Sequence, residues 1–295
     1  MVMSRPRLFI ADVFAEARYA GNQLAVVSDA ESLSSDDMQR IAREMNFSET
    51  TFVMANTPIA GAYPVRIFTP TSEIPFAGHP TIGTAYVIRE AIDPGSADRL
   101  VLRLGIGDVP VTFVSSPGRA GTVWMHPPRP ELGAVHDPAP FARVVGLEPE
   151  DIDPRTPVQE VSIGLHFFFV PLRTLGALDR CRVNVTLRDA VLTNLPLRCL
   201  FLFCPEARER GHDLAARMFF EADGVREDPA TGSANAGLAG YLLHHRYLSA
   251  GGVDITVEQG YQIGRPSLLY VRARSGESHV SVGGQVMITV RGELV

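Results

Sequence analysis

The chain has 295 residues, with 27 basic against 33 acidic residues and a formal net charge of −6, and every basic residue is arginine. The absence of lysine excludes pyridoxal-phosphate and class I aldolase chemistry, which need a lysine amine. It equally excludes the Walker-A and protein-kinase phosphate sites, which place a lysine on the phosphates.

At this length two domains are expected. A pI near 5.8 argues against nucleic-acid or anionic-membrane partners, and no apolar run approaches the ~20 residues of a membrane helix. Cys181, Cys199 and Cys204 form no C-x-x-C pair, and the apolar run at residues 8–11 is too short for a signal peptide. A reduced, cytoplasmic setting is the expectation.

In chain order, residues 8–14 and 24–27 read as strands. A helix follows, with Ser34 or Ser35 as cap, Asp36 and Asp37 in its first turn, and Met38, Ile41, Ala42 and Met45 at helical spacing. Residues 49–54 and 64–68 read as strands, 80–89 as a helix, and 101–104 with 109–114 as a hairpin. The Ser, Pro and Gly of residues 115–121 mark a linker. Beyond it come a strand at 122–125, a proline-rich loop and a helix around 141–145. Strands follow at 165–170, 200–203 and 217–221, then a helix from Gly232 to about His244 and further strands to the end.

One internal repeat stands out. Residues 75–85 (PFAGHPTIGTA) and 229–239 (PATGSANAGLA) both fit P-x2-G-x4-G-x-A. Each follows a strand containing Arg-x-Phe (Arg66/Phe68 and Arg217/Phe219) and each opens a helix. The shared order argues for a duplication that relates the two halves by a pseudo-twofold.

Small-residue loops that open helices aim unpaired N–H groups and the positive helix end at whatever sits before them. Two such starts, at Gly78 and Gly232, could hold a carboxylate with neither lysine nor metal. The alternative is that these glycines only let two helices pack closely on their sheets. His79, Asp228 and Ser233 crowd the same loops. His79 is either a turn cap or a neutral donor or proton relay, Asp228 either a turn residue or a ligand group, and Ser233 either an N-terminal cap or a substrate contact. A Ser-His-Asp hydrolase built from Ser233, His79 and Asp228 lacks the G-x-S-x-G elbow. No H-E-x-x-H occurs, and the adjacent His244 and His245 face different ways, so no metal site is expected. No G-x-G-x-x-G signals a dinucleotide. By itself Glu49 reads as an exposed acid at a strand entry.

At these residues the chain resembles the PhzF-like family, the phenazine-biosynthesis isomerase and its relatives. The marks are Asp12-Val13-Phe14 with Gly21-Asn22, Asn46-Phe47-Ser48-Glu49-Thr50 and Arg66-Ile67-Phe68-Thr69-Pro70. They continue with residues 75–81, residues 227–234, Glu258-Gln259-Gly260 and Gly264-Arg265-Pro266-Ser267. Gln23 departs from the proline that usually follows Gly-Asn.

The resemblance implies an α+β, diaminopimelate-epimerase-like fold of two pseudo-symmetric domains, each a mainly antiparallel sheet wrapped around a central helix. Residues 1–118, completed by a C-terminal strand at 282–295, would form one domain, and 119–281 the other, with the site in the cleft between them. It implies a cytoplasmic homodimer and a cofactor-independent isomerase of a small unsaturated carboxylic acid, trans-2,3-dihydro-3-hydroxyanthranilate being one candidate. Glu49 matches the group that shuttles the proton, and burial would raise its pKa to suit both halves of that task. His79, Asp228 and Ser233 match polar residues around the substrate, while Asn22, Gly78 and Gly232 match substrate-binding positions. Related epimerases carry a cysteine at each helix start. Here His79 and Ser233 stand in those places, which favours a one-base isomerase over a two-thiol racemase, with the three cysteines as packing residues. The alternatives are an epimerase of an amino-acid-like substrate and a non-catalytic binding protein.

Overall fold

A computed structural model describes residues 5–95, 98–116, 119–192, 199–221, 225–248 and 251–295. The chain divides into two compact units, Met1–Pro127 with Gly283–Val295, and Pro128–Val282.

In the first unit the strands are β1 (Arg7–Val13), β2 (Asn22–Ser28), β3 (Glu49–Val53), β4 (Tyr63–Phe68), β5 (Glu73–Ile74), β6 (Arg99–Leu104), β7 (Gly107–Ser116) and β8 (Arg119–Met125). The C-terminal strand Val286–Glu293 pairs antiparallel with β1. From there the ladder runs antiparallel to β2, parallel to β3, antiparallel to β4, parallel to β6 and antiparallel to β7 and β8. Residues 115–121, expected as a linker, thus fall where two strands pair, with 117–118 outside the described residues. Ser116 pairs with Arg119, so β7 and β8 are antiparallel neighbours here.

Helix α1 (Ser35–Met45) begins where Ser34 Oγ accepts from Asp37 N and ends where Asn46 turns left-handed at φ 53°. Its Met38 and Ala42 pack with Val27, Ala30, Phe52 and Phe68. Helix α2 (Gly78–Val87) has no polar face: nine of its ten residues are buried. It packs on β1, β2, β3, β6, β7, β8 and the C-terminal strand, so the sheet wraps around it. Gly83 makes that fit possible, because a Cβ there would sit 2.5 Å from Leu24 Cδ2 and 2.7 Å from Val13 Cγ2. The helix expected at 80–89 starts two residues earlier. Ala77 is its cap and Pro80 falls inside the first turn, where a missing N–H breaks no bond. It then loosens into a π turn over Ile88–Ile92.

The second unit repeats this plan. Its strands are β9 (Glu131–His136), β10 (Val158–Ser162), β11 (His166–Pro171), β12 (Cys199–Cys204), β13 (Leu214–Glu221), β14 (Val225–Asp228), β15 (Gly252–Gln259) and β16 (Ser267–Arg274). Pairings run β9–β10 and β10–β11 antiparallel, β11–β12 parallel, β12–β13 and β13–β14 antiparallel, β13–β15 parallel and β15–β16 antiparallel. That is the sequence of directions found from the C-terminal strand through β7. Three short helices, α3 (Pro138–Val144), α4 (Leu175–Arg180) and α5 (Val185–Val191), accompany it, and α6 (Gly232–His245) is buried along most of its length as α2 is. The registers align the copies residue by residue. Phe52 faces Arg66 as Leu202 faces Arg217, and Ile67 faces Ile74 as Met218 faces Asp228. Each arginine grips a glutamate through two bonds, Arg66 to Glu73 at 2.8 and 2.7 Å and Arg217 to Glu227 at 2.9 and 2.7 Å. Each also lies over the phenylalanine two residues on, at 5.0 and 4.8 Å. The architecture is α+β with two pseudo-symmetric halves.

Candidate active site

Glu49 opens β3, directly beside Leu24 of β2. Its side chain is 15% exposed, so it is no ordinary surface acid. Thr51 Oγ1 lies 2.8 Å from Thr84 Oγ1 and thereby ties this strand to α2 inside the core. The second helical residue, His79, is 3% exposed. Its Nε2 stands 3.4 Å from Glu49 Oε2 and its Nδ1 3.2 Å from Asn22 Nδ2. Burial pushes the imidazole down to about 3 from its ordinary 6.5, against a smaller opposing effect of a hydrogen bond to the Gln23 backbone. His79 is therefore neutral near neutral pH, and its contact with Glu49 is not an ion pair. Asn22, His79 and Glu49 form one polar group around the start of α2, where Gly78 is the first helical residue.

In the second unit, Asp228 ends β14 and is 4% exposed. Thr231 Oγ1 donates to Asp228 Oδ2 at 2.6 Å. Gly232 and Ser233 begin α6 immediately after, both buried. Neither α2 nor α6 has a side chain capping its first turn, whereas Ser34, Asp137, Thr174 and Asn184 cap α1, α3, α4 and α5. No cap side chain takes up the leading N–H groups of the two buried helices.

The fold recurs in known proteins. The family model described as phenazine biosynthesis-like protein matches residues 11–292. A relative from Pseudomonas aeruginosa, trans-2,3-dihydro-3-hydroxyanthranilate isomerase, is 36% identical over 275 residues, 93% of each chain. The chain belongs to the phenazine biosynthesis-like protein family, and it is an isomerase. A Bacillus anthracis structure, a phenazine biosynthesis protein of the PhzF family, superposes with a TM-score of 0.88 at 26% identity, covering 99% of this chain and all of the other. A probable proline racemase from Agrobacterium radiobacter shares the fold alone, with a TM-score of 0.64 at 11% identity over 98% of this chain and 93% of that one.

Within this family member the two copies differ at the positions of Glu49 and His79. By register the counterpart of Glu49 is Cys199, each heading the parallel strand beside Leu24 or Phe167, and the counterpart of His79 is Ser233. Only the first copy therefore carries a carboxylate there. Cys199 is buried, as are Cys181 and Cys204, and burial pushes the latter two thiols up to about 12 and about 11. Sequence reasoning missed the buried polar group around Asp228, formed by Thr231, Asn235 and Gln259. The motif at 227–234 holds Asp228 and Thr231 and the Glu-Gln-Gly motif at 258–260 holds Gln259, but neither gives a hint that Gln259 turns inward toward α6.

Proposed function

We propose that the protein is a cofactor-independent, PhzF-type isomerase of a small unsaturated carboxylic acid, with Glu49 as its single proton-transfer group. The observation that carries this reading is Glu49 against a buried, neutral His79 beside an uncapped helix start. A neutral imidazole can orient the carboxyl without locking it into an ion pair. Glu49 can then take a proton from a carbon next to the unsaturated system and return it at another. The leading N–H groups at Gly78 and Gly232 would bind the substrate carboxylate and stabilise charge that develops during transfer. In this reading Asp228 accepts from an amino or hydroxyl group, and Ser233 and Asn22 orient the substrate. The named relative makes trans-2,3-dihydro-3-hydroxyanthranilate the first substrate to try. A cytoplasmic homodimer is the expected form.

The test is turnover of that compound in D2O, followed by NMR. Deuterium at a new carbon together with double-bond movement supports the reading. Incorporation at one stereocentre with inversion would make the enzyme an epimerase instead. Glu49→Gln should lower the exchange rate on the order of a thousandfold or more. Exchange at the wild-type rate in that variant would remove Glu49 from the mechanism.

A further inference from the structure

Asp228 sits within a network of two buried amides, Asn235 and Gln259, and the Thr231 hydroxyl. Gln259, 1% exposed, uses its whole side-chain amide. Its Nε2 donates to the Asp228 carbonyl at 2.9 Å and to Thr231 Oγ1 at 3.0 Å. Its Oε1 accepts from Thr231 N and from Asn235 Nδ2, both at 3.1 Å. A backbone N–H can only donate, so the amide has one possible orientation. Because Thr231 Oγ1 accepts from Gln259, its single proton is directed to Asp228 Oδ2. Oδ2 of the carboxylate is thus fixed in an acceptor role.

The first unit supplies an internal control. There the counterparts of Asp228, Thr231, Asn235 and Gln259 are Ile74, Ala77, Thr81 and Leu104, aligned by the matching registers of β4, β5 and β6 with β13, β14 and β15. The backbone plan is nonetheless the same. A Cβ at Gly260 would lie 2.5 Å from the Pro229 carbonyl oxygen, and one at Gly105 2.7 Å from Pro75 Cα. This loop folds with an isoleucine, an alanine and a leucine in those places, so the fold does not demand the network. Burying so many polar groups carries a desolvation cost that apolar residues would avoid. We infer that Thr231 and Gln259 are positioning residues, which hold Asp228 ionised and aimed for a proton-donating substituent of the substrate. The inference rests on the substrate-binding role given to Asp228 above.

The test replaces these residues by their first-unit counterparts, Thr231→Ala and Gln259→Leu, with Thr231→Ser as the conservative control. Two readouts are taken on the full chain. One is the titration of Asp228 by 13C NMR of carboxyl-labelled protein, assigned with Asp228→Asn. The other is kcat/KM and its pH profile with trans-2,3-dihydro-3-hydroxyanthranilate. Loss of the donor should raise the Asp228 midpoint by about half a pH unit or more and move the acidic limb of kcat/KM with it. The rate constant itself should fall roughly tenfold. Thr231→Ser should restore both. An unchanged midpoint in folded Thr231→Ala overturns the inference, whatever the activity. Thr231→Ala removes only a hydroxyl and a methyl, so it decides the matter even if Gln259→Leu fails to fold. If the wild type turns over no carboxylic acid, the proposed function fails while the titration still tests the positioning role.

Discussion

The loops before α2 and α6 are held by the same brace in opposite surroundings. In the first unit the Arg66–Glu73 pair is 29% and 44% exposed, with Ser35 and Met38 of α1 beside the guanidinium. In the second, the Arg217–Glu227 pair is 6% and 7% exposed, and Arg217 Nη1 also donates to the Leu178 and Cys181 carbonyls at 3.0 Å. The polar investment is reversed at the helix starts. The first unit places Glu49, His79 and Asn22 there on an apolar loop, whereas the second surrounds Asp228 with a hydrogen-bonded lattice. One copy of the loop thus carries a buried acid beside a neutral histidine, and the other a hydrogen-bonded aspartate.

The largest effect should come from breaking the buried brace. Arg217→Met leaves the Glu227 carboxylate buried without its partner and should cost about 3–5 kcal/mol, against at most about 1 kcal/mol for Arg66→Met at the exposed copy. Urea denaturation of the two variants measures the contrast, and equal losses would show that burial does not distinguish the braces. Next in size is the pH dependence contributed by His79. Its folded value, about 3, lies below its ordinary 6.5, so the unfolded chain binds the extra proton first. Its contribution is present above about pH 6.5 and shrinks as pH falls toward 3, by a little over 1 kcal/mol per pH unit. His79→Gln should therefore remove about 2 kcal/mol of the stability difference between pH 6.5 and 4.5. A variant with an unchanged pH slope would mean that His79 is protonated without penalty. The smallest effect separates the two helix glycines. A Cβ at Gly83 meets Leu24 and Val13 at 2.5 and 2.7 Å, while one at Gly237 meets Phe169 and Val161 at 3.0 and 3.1 Å. Gly83→Ala should cost about 1 kcal/mol after the gain in helix propensity, and Gly237→Ala close to nothing. Their thermal midpoints would rank the tightness of the two helix–sheet contacts.

Much of this was legible in the chain. The P-x2-G-x4-G-x-A repeat with its Arg-x-Phe strands disclosed the duplication, because close helix–sheet approach demands small residues at fixed spacing. Ser34, Asp36 and Asp37 announced α1 through local capping chemistry. Residues 131–136 went unread as a strand because their partner, residues 158–162, lies more distant in the chain, while 158–162 went unread although they pair as a hairpin with β11, Ser162 facing His166. The serine, proline and glycine of residues 115–121 read as a linker, and only the pairing of β7 with β8 on either side shows otherwise.

By itself the sequence determined the repeat, the family, the order of the main elements and the residues at the two helix starts. These depend on spacing along the chain and on local backbone preference. Tertiary structure decided that Glu49 is shielded beside a neutral His79, that its counterpart is Cys199, and that Gln259 and Thr231 fix Asp228. Those properties come from register and burial among residues up to 57 positions apart in one case, Asn22 and His79, and 28 in another, Thr231 and Gln259. No local preference encodes the desolvation that makes a histidine neutral or a hydroxyl point one way.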